Sequence, residues 1–283
     1  MEGIMHDMIG LGVIGNFANH LEQAGEAADF ACIATKDAHQ PKGIFPFYVP
    51  NASGFLGRYC LSNDTIILPQ NKALCVQAEP EVALECEITY NDSHAITHIT
   101  PTFFMAFNDA SVRNDNNATK LSQKKNFSPA SKGYGEPKIP IASKGFSKGG
   151  VCDSYSIASF ITTDNNTQPY GELSPLSTYS YFYDNLISWI IQTLNTQQEV
   201  STLENLAEIF KQANYPKKAL ITIGATRYVP QNAQRMLKSG DELSIIVFNH
   251  DKYNLKTISQ IATHSLSKND INENISILRQ KVL

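Results

Sequence analysis

The chain has 283 residues, 42% of them hydrophobic and 18% charged, with a formal charge of −4 and a pI near 6.0. That is enough apolar material to bury one large core, and it excludes a globally disordered chain. The charge leaves no footprint for nucleic acid or an anionic membrane, and the basic spots Lys124-Lys125 and Lys217-Lys218 are too short to make one.

In chain order, MEGIMHDMIGLGVIGNF opens with an acid rather than a basic segment, so it reads poorly as a signal peptide. No stretch reaches the roughly 18 apolar residues of a membrane span. Residues 9–15 read as a buried strand ending in a glycine turn. Asn16 then offers an N-cap to a helical pattern in FANHLEQAGEAADF. Gly10, Gly12 and Gly15 fit G-x-G-x-x-G by spacing. No second β-α-β period follows, however, and no acid ends a next strand about 20 residues on, which argues against a dinucleotide site. Residues 44–70 are irregular, with Pro46, Pro50 and Pro69.

Residues 82–90 and 101–108 read as strands, 112–150 as long loops around a site, and 151–163 as strand again. Tyr179, Phe182, Tyr183, Leu186, Trp189 and Ile190 recur at helical spacing over 177–194 and read as core. A helix over 201–212 starts with a capping box, Ser201 and Glu204. Strands are expected at 219–223 and 242–248. Beyond 254 the chain is polar, and Ile271, Ile275 and Leu278 suggest a final amphipathic helix. Strands in the middle with helices around them mean α+β, mostly β. The expected division is 1–40, an N-terminal strand with a lid-like helix; 41–250, the catalytic core; and 251–283, a polar helical extension.

Five scattered cysteines, with no C-x-x-C and no zinc spacing, suit a reduced cytoplasmic setting. The N-x-S/T triplets at Asn51, Asn91, Asn117 and Asn165 then carry no glycosylation meaning. His94 and His98 in SHAITHIT have ligand spacing for a helix face, but their β-branched context argues for strand or loop.

The chemistry concentrates in AEPEVALECEI and FFMAFNDASVRN. Residues i and i+2 of a strand share a face, so Glu79 and Glu81 can enter one site, and Asp109 from a neighbouring element would complete three hard oxygen ligands. Glu85 and Glu87 continue the same face and are expected to lie beyond the buried stretch, because unpaired buried charge is costly. The competing reading of E-x-E is a solvated, charged strand edge.

Several segments, in order, resemble the fumarylacetoacetate hydrolase family. Gly15-Asn16-Phe17-Ala18-Asn19-His20 is similar to the family's entry segment, and Glu79-Pro80-Glu81-Val82-Ala83-Leu84 to its metal strand. Asn108-Asp109-Ala110-Ser111-Val112-Arg113 resembles the third-ligand motif, and Lys125-Asn126-Phe127 the loop that follows. Ile221-Thr222-Ile223-Gly224-Ala225-Thr226 and Leu237-Lys238-Ser239-Gly240-Asp241-Glu242-Leu243 resemble two later turns. The likeness spans about residues 9–249.

The resemblance implies a mixed β-sandwich roll with flanking helices, usually as a homodimer. It implies Mg²⁺ or Mn²⁺, with Ca²⁺ a third option, held by Glu79, Glu81 and Asp109. The implied activities on small oxo-acids are C–C hydrolysis and decarboxylation, with isomerisation or hydration as the alternative and a catalytically degenerate metabolite-binding protein as another. His20 is the implied proton-transfer group and Lys125, or its neighbour Lys124, the contact to substrate. Arg113 suits a substrate carboxylate, or an ion pair with Asp115 or Glu136. Two departures stand out. The family pairs its histidine with a glutamate three residues on, where this chain has Gln23; Glu22, one residue early, reaches His20 only if a lid movement delivers it. The family's G-T-P is Gly224-Ala225-Thr226 here, leaving Thr226 or Arg227 to take the threonine's place at the substrate.

Overall fold

Two long antiparallel neighbours, β5 (Pro80–Tyr90) and β6 (Ile96–Asn108), dominate the architecture and end side by side at the candidate site. Their side chains alternate between two clusters: Val82, Leu84, Phe104 and Ala106 enter the main core, and Ala83, Met105 and Phe107 enter a second one with Phe45 and Phe47. Each fully buried aliphatic or aromatic side chain contributes roughly 2 kcal/mol, so these strands anchor the fold.

The computed structural model of the protein describes residues 7–18, 20–25, 27–30, 33, 35–141, 145–263 and 274–283. The first sheet runs β2 (Gly43–Tyr48), β1 (Ile9–Ile14), β13 (Lys218–Thr222), β5, β6 and β8 (Gly133–Tyr134), with β9 (Ile139–Pro140) also on β6. The second runs β11 (Asn166–Pro169), β10 (Tyr155–Thr163), β14 (Glu242–Asn249), β15 (Ile275–Val282) and β3 (Thr65–Ile66), with β12 (Ser174–Pro175) on β10. β4 (Val76–Gln77) and β7 (Ser111–Val112) form a short ladder beside the site. β1 pairs parallel with β13 and β15 with β3; the other ladders are antiparallel. Phe104 and Tyr155 meet edge to face at 4.9 Å and join the two sheets. The helices α1 (His20–Ala24), α2 (Leu121–Lys125), α3 (Tyr183–Thr196), α4 (Leu206–Gln212) and α5 (Leu255–Ala262) flank this core. The class is α+β, mostly β, a curled mixed sandwich with flanking helices. Among the described residues no helix is long and apolar enough to cross a membrane.

Several expectations from sequence change here. Asn16 is not a helix cap. Fully buried, it donates to Ile223 O and Tyr181 O and accepts from Tyr181 N, strapping the end of β1 to the segment after β13. The helix it was to cap is only α1, followed by Gly25 at φ 72° and a 3₁₀ turn, Ala27–Phe30. The N-terminal strand β1 lies inside the first sheet, between β2 and β13.

The helix expected over 177–194 starts at Tyr183. Tyr179 and Phe182 lie before it, where they pack with Phe17 and Phe146.

The expected final helix is a strand in its described part. Ser276, Leu278, Gln280 and Val282 are buried in β15 at a period of two, and the strand sits between β14 and β3. Ile271 lies outside the described residues. Among the described residues of the supposed extension only α5 is helical, capped by Asn254, whose side chain accepts from Thr257 N at 3.0 Å.

The capping box at 201–204 also fails. Ser201 has φ 51°, and the cap of α4 is Asn205, which accepts from Ala207 N and Glu208 N. Glu204 instead turns inward and accepts a hydrogen bond from Ser122 Oγ on α2; its Oε2 is buried without a hydrogen bond. Burial, opposed by the Ser122 hydrogen bond, pushes its pKa up to about 7. The folded value lies above the unfolded one, so the folded state holds a proton that the unfolded chain releases. Stability therefore falls as pH rises from about 4.5 to about 7, by at most about 3 kcal/mol. Glu204→Gln keeps an acceptor for Ser122 and should flatten that slope. Its melting temperature at about pH 8 should exceed that of the parent by several degrees, with little difference at about pH 4. Parallel pH profiles for the two proteins would refute the assignment.

Candidate metal centre

Glu79 precedes β5 and Glu81 is its second residue; Asp109 follows the last residue of β6. The register places Pro80 opposite Asn108, and Asp109 N–H donates to Glu79 O at 3.0 Å, so the joined strand ends bring the three acids together. Asn108 fixes the corner, with Oδ1 accepting from Glu79 N (3.2 Å) and Nδ2 donating to Gln280 Oε1 of β15 (2.8 Å). The three carboxylates offer ligand oxygens all within 4.8 Å of one another, at 4%, 2% and 1% exposure. Among the described residues no other group of three or more histidines, cysteines and acids has such geometry. They share a cavity of about 20 Å³ with His20, Lys125, Val13, Ile14, Leu21, Phe45, Leu121 and Ala225. That is room for one ion or water.

Three basic side chains converge on the acids. Lys125 Nζ lies 2.7 Å from both Glu79 Oε2 and Asp109 Oδ2. Arg113 reaches Glu79 Oε1 at 2.7 Å, and Lys132 reaches Asp109 Oδ1 at 2.9 Å. Burial opposes ionisation of Glu79, but Lys125, then Arg113 and His20, outweigh it and hold its pKa down at about 2. Glu81 differs: burial, and then the neighbouring Asp109, raise its pKa well above the ordinary carboxylate value. One Glu81 oxygen accepts from Gly224 N at 3.1 Å. Burial lowers the Lys132 pKa against the pull of Asp109. Glu79 Oε1 and Asp109 Oδ1 accept no hydrogen bond, although their ion-pair partners stand close by. Three hard, buried oxygen donors around a space of one ion fit a divalent cation.

The other expected residues fall on both sides of the line. His20 is 4% exposed, lines the cavity and packs against Tyr228 at 5.3 Å. Lys125, not the half-buried Lys124, enters the cavity. Glu22 is exposed and absent from the cavity wall, because a side chain two residues on from His20 emerges elsewhere around α1. Gln23 binds the backbone of Tyr228 in both directions, donating to O at 3.3 Å and accepting from N at 3.0 Å. Arg113 pairs with Glu79, and it also binds Gln77 and Tyr228 Oη. Thr226 is buried and spends its hydroxyl on Pro80 O (3.1 Å), and Arg227 forms a half-exposed pair with Glu172 at 2.8 Å. Glu85 corrects another expectation: it is buried, with Lys138 at 2.8 Å supplying the countercharge, while Glu87 is exposed. His94 stacks on Tyr215 at 4.0 Å, and His98 is exposed.

Two contributors escaped the sequence reading. Lys132 sits in a loop with no periodic signal. From the Gly224-Ala225-Thr226 turn, the group that reaches the acids is the backbone N–H of Gly224. Gly224 has φ 109°, and a Cβ there would come within 3.0 Å of Asn16 Cβ. Gly224→Ala should destabilise the protein by about 1–3 kcal/mol in urea unfolding. A neutral result would show that the turn relaxes.

Solved structures share the fold. The structure titled Cg1458 with inhibitor superposes with a TM-score of 0.52 at 16% identity, covering 97% of this chain and 76% of that one. A 2-keto-3-deoxyarabinonate dehydratase gives 0.52 at 17%, covering 97% and 73%. A 5-carboxymethyl-2-hydroxymuconate delta-isomerase from Mycobacterium smegmatis gives 0.51 at 15%, covering 97% and 78%. At these identities the likeness is one of fold, the fumarylacetoacetate-hydrolase type. No curated protein matches by sequence. A family model matches residues 26–282, nearly the whole chain, and the chain belongs to that family, the family of unknown function DUF5718.

Proposed function

We propose that this chain is a divergent member of the fumarylacetoacetate hydrolase family, a divalent-metal-dependent hydrolase or decarboxylase of a small oxo-acid of the acylpyruvate or β-diketo acid type. The observation that carries this reading is the convergence of Glu79, Glu81 and Asp109 in one buried cavity with His20 and Lys125. The three acids would hold Mg²⁺ or Mn²⁺, with Ca²⁺ a third option. When bound, the ion polarises an oxo-acid oxygen and stabilises the negative charge that develops there. Lys125 supplies a cation to the substrate carboxylate, and the His20 imidazole holds or moves a proton at the reacting carbon or oxygen. Val13, Ile14, Leu21, Phe45 and Leu121 keep water away. The cavity is too small for an oxo-acid, so entry requires movement of its wall, to which α1 contributes His20 and Leu21.

Gln23 favours a second reading within the same fold. It is occupied by Tyr228, and among the described residues the carboxylates on the cavity wall are the three proposed ligands. An isomerase or hydratase needs only the cation and a proton shuttle. The family resemblance also carries the proposal of a homodimer, and the scattered cysteines that of a cytoplasmic setting; the charge of −4 supports a small-molecule partner over nucleic acid or membrane.

The test is a thermal-shift and turnover screen of acylpyruvates, oxaloacetate and related enols, with and without Mn²⁺. Metal-dependent turnover supports an enzyme, and its product tells hydrolysis from isomerisation. Stabilisation without turnover of any compound would point to a metabolite-binding protein. No response to Mn²⁺ would remove the metal reading.

A further inference from the structure

Lys132 is 0% exposed and has no place in the motifs that mark the site. Its backbone is fixed first. Its N–H donates to Cys60 O at 2.9 Å, and its carbonyl accepts from Ser62 N at 2.9 Å and from Gln280 Nε2 at 3.1 Å. The side chain then turns to the acids. Nζ donates to Ala110 O at 2.6 Å and Lys125 O at 2.7 Å, and stands 2.9 Å from Asp109 Oδ1. One ammonium thus ties the loop after β6 to the end of α2.

The two lysines reach Asp109 differently. Lys125 is part of the cavity wall and Lys132 is not, so a ligand entering the cavity meets Lys125 and leaves Lys132 in place behind the acids. Glu79 and Glu81 are treated alike: Arg113 engages Glu79 Oε1 at 2.7 Å, and Gly224 N–H engages Glu81 Oε2 at 3.1 Å, neither from the cavity wall. Each acid therefore has one oxygen engaged from behind, while the second oxygens of Glu79 and Asp109 meet Lys125 at 2.7 Å, the lysine of the cavity wall whose ammonium an entering ion displaces. Like charges repel at such range, so a divalent ion that takes the place of the Lys125 ammonium on the cavity side does not also bond the Asp109 oxygen held by Lys132, which Ala110 O and Lys125 O fix in place.

We propose that Lys132 is a positioning residue that makes Asp109 a one-oxygen ligand and thereby sets the site's preference for a small six-coordinate cation over calcium. The proposal rests on the reading that Glu79, Glu81 and Asp109 hold a divalent ion. Calcium takes six to eight oxygens and gains from two-oxygen carboxylates, whereas small octahedral ions take one oxygen from each ligand and fill the rest with water. Removing Lys132 frees Asp109 to offer both.

The experiment is calorimetric titration of the purified full chain with Mn²⁺ and with Ca²⁺, on the parent protein and on Lys132→Met, which keeps the length and loses the charge. The parent should bind Mn²⁺ more tightly than Ca²⁺. In Lys132→Met the Mn²⁺-to-Ca²⁺ affinity ratio should fall by about tenfold or more, the scale of outer-sphere effects on metal affinity. A purely structural lysine would weaken both ions alike and leave the ratio where it was, and that result overturns the proposal. A parent protein that prefers Ca²⁺ also overturns it, a readout independent of how well the variant folds. Failure of the parent to bind either ion overturns the metal reading itself and this inference with it, a failure distinct from an unchanged ratio.

Discussion

Glu81→Gln is expected to raise the melting temperature measured in a chelator and to erase the stabilisation given by Mn²⁺, while Asp109→Asn is expected to lower the first and erase the second. The opposite signs follow from who faces each acid. Asp109 meets Lys125 at 2.7 Å and Lys132 at 2.9 Å, and Glu79 meets Lys125 and Arg113. Glu81 is met by the Gly224 N–H at 3.1 Å, and the acids Asp109 and Glu79 beside it oppose the pull of Lys125. Neutralising Asp109 leaves buried ammonium groups short of a countercharge, which costs about 3–5 kcal/mol. Replacing Glu81 by an amide of the same shape removes a buried acid whose ionised form burial and Asp109 disfavour, and stabilises by about 1–2 kcal/mol. At roughly 2–4 °C per kcal/mol, the two variants should separate by more than 8 °C in chelator. Mn²⁺ at about a hundred times its Kd adds about 2.7 kcal/mol to the parent and should add little to either variant. Differential scanning with and without Mn²⁺ checks both halves; equal shifts of the same sign in chelator would show that the charge map is wrong.

That charge map was half legible in the sequence, and the dividing line is physical. E-x-E can be read because strand alternation is local: Glu79 and Glu81 share a side whatever else the chain does, and β6 returns Asp109 to them. Lys132 could not be read, because its role depends on Asp109 and on Gln280 of β15, 148 residues away, and nothing periodic surrounds it. The last strand was hidden for a related reason. Two of its four inward positions are the polar Ser276 and Gln280. Their partners, Ala106 N for Ser276 and Asn108, Ser62, Thr65 and Lys132 for Gln280, lie far away in sequence. With those two discounted, Leu278 and the neighbouring Ile275, three residues apart, imitate a helix. Glu85 escaped likewise, its burial permitted by Lys138 from another segment. Apolar periodicity exposes elements whose inward faces are apolar, and it misses buried polar groups whose partners are distant.

His20 and Gln23 decide which chemistry the proposed centre performs, and their replacements should separate. His20→Asn should lower kcat by about 10²–10⁴-fold, the range for a lost general acid or base, while Mn²⁺ affinity changes little, because His20 lines the cavity without being one of the three proposed ligands. Gln23 acts on the same helix by another route. Its paired hydrogen bonds to Tyr228 latch α1 to the segment after β13, and Tyr228 in turn packs on His20 and binds Arg113 through its hydroxyl. Gln23→Glu replaces the donor facing Tyr228 O by an acceptor, so one arm of the latch is lost at a cost of about 1–3 kcal/mol. If Gln23 is a latch, kcat/KM falls in Gln23→Glu chiefly through a higher KM, and the products stay those of the parent. If the position is an inactive half of a water-activating pair, the new carboxylate beside His20 should raise the rate of C–C hydrolysis. A KM effect without new hydrolysis would place this chain with isomerases and hydratases, because the same glutamine that closes α1 over the cavity would be what keeps a fourth carboxylate out of it.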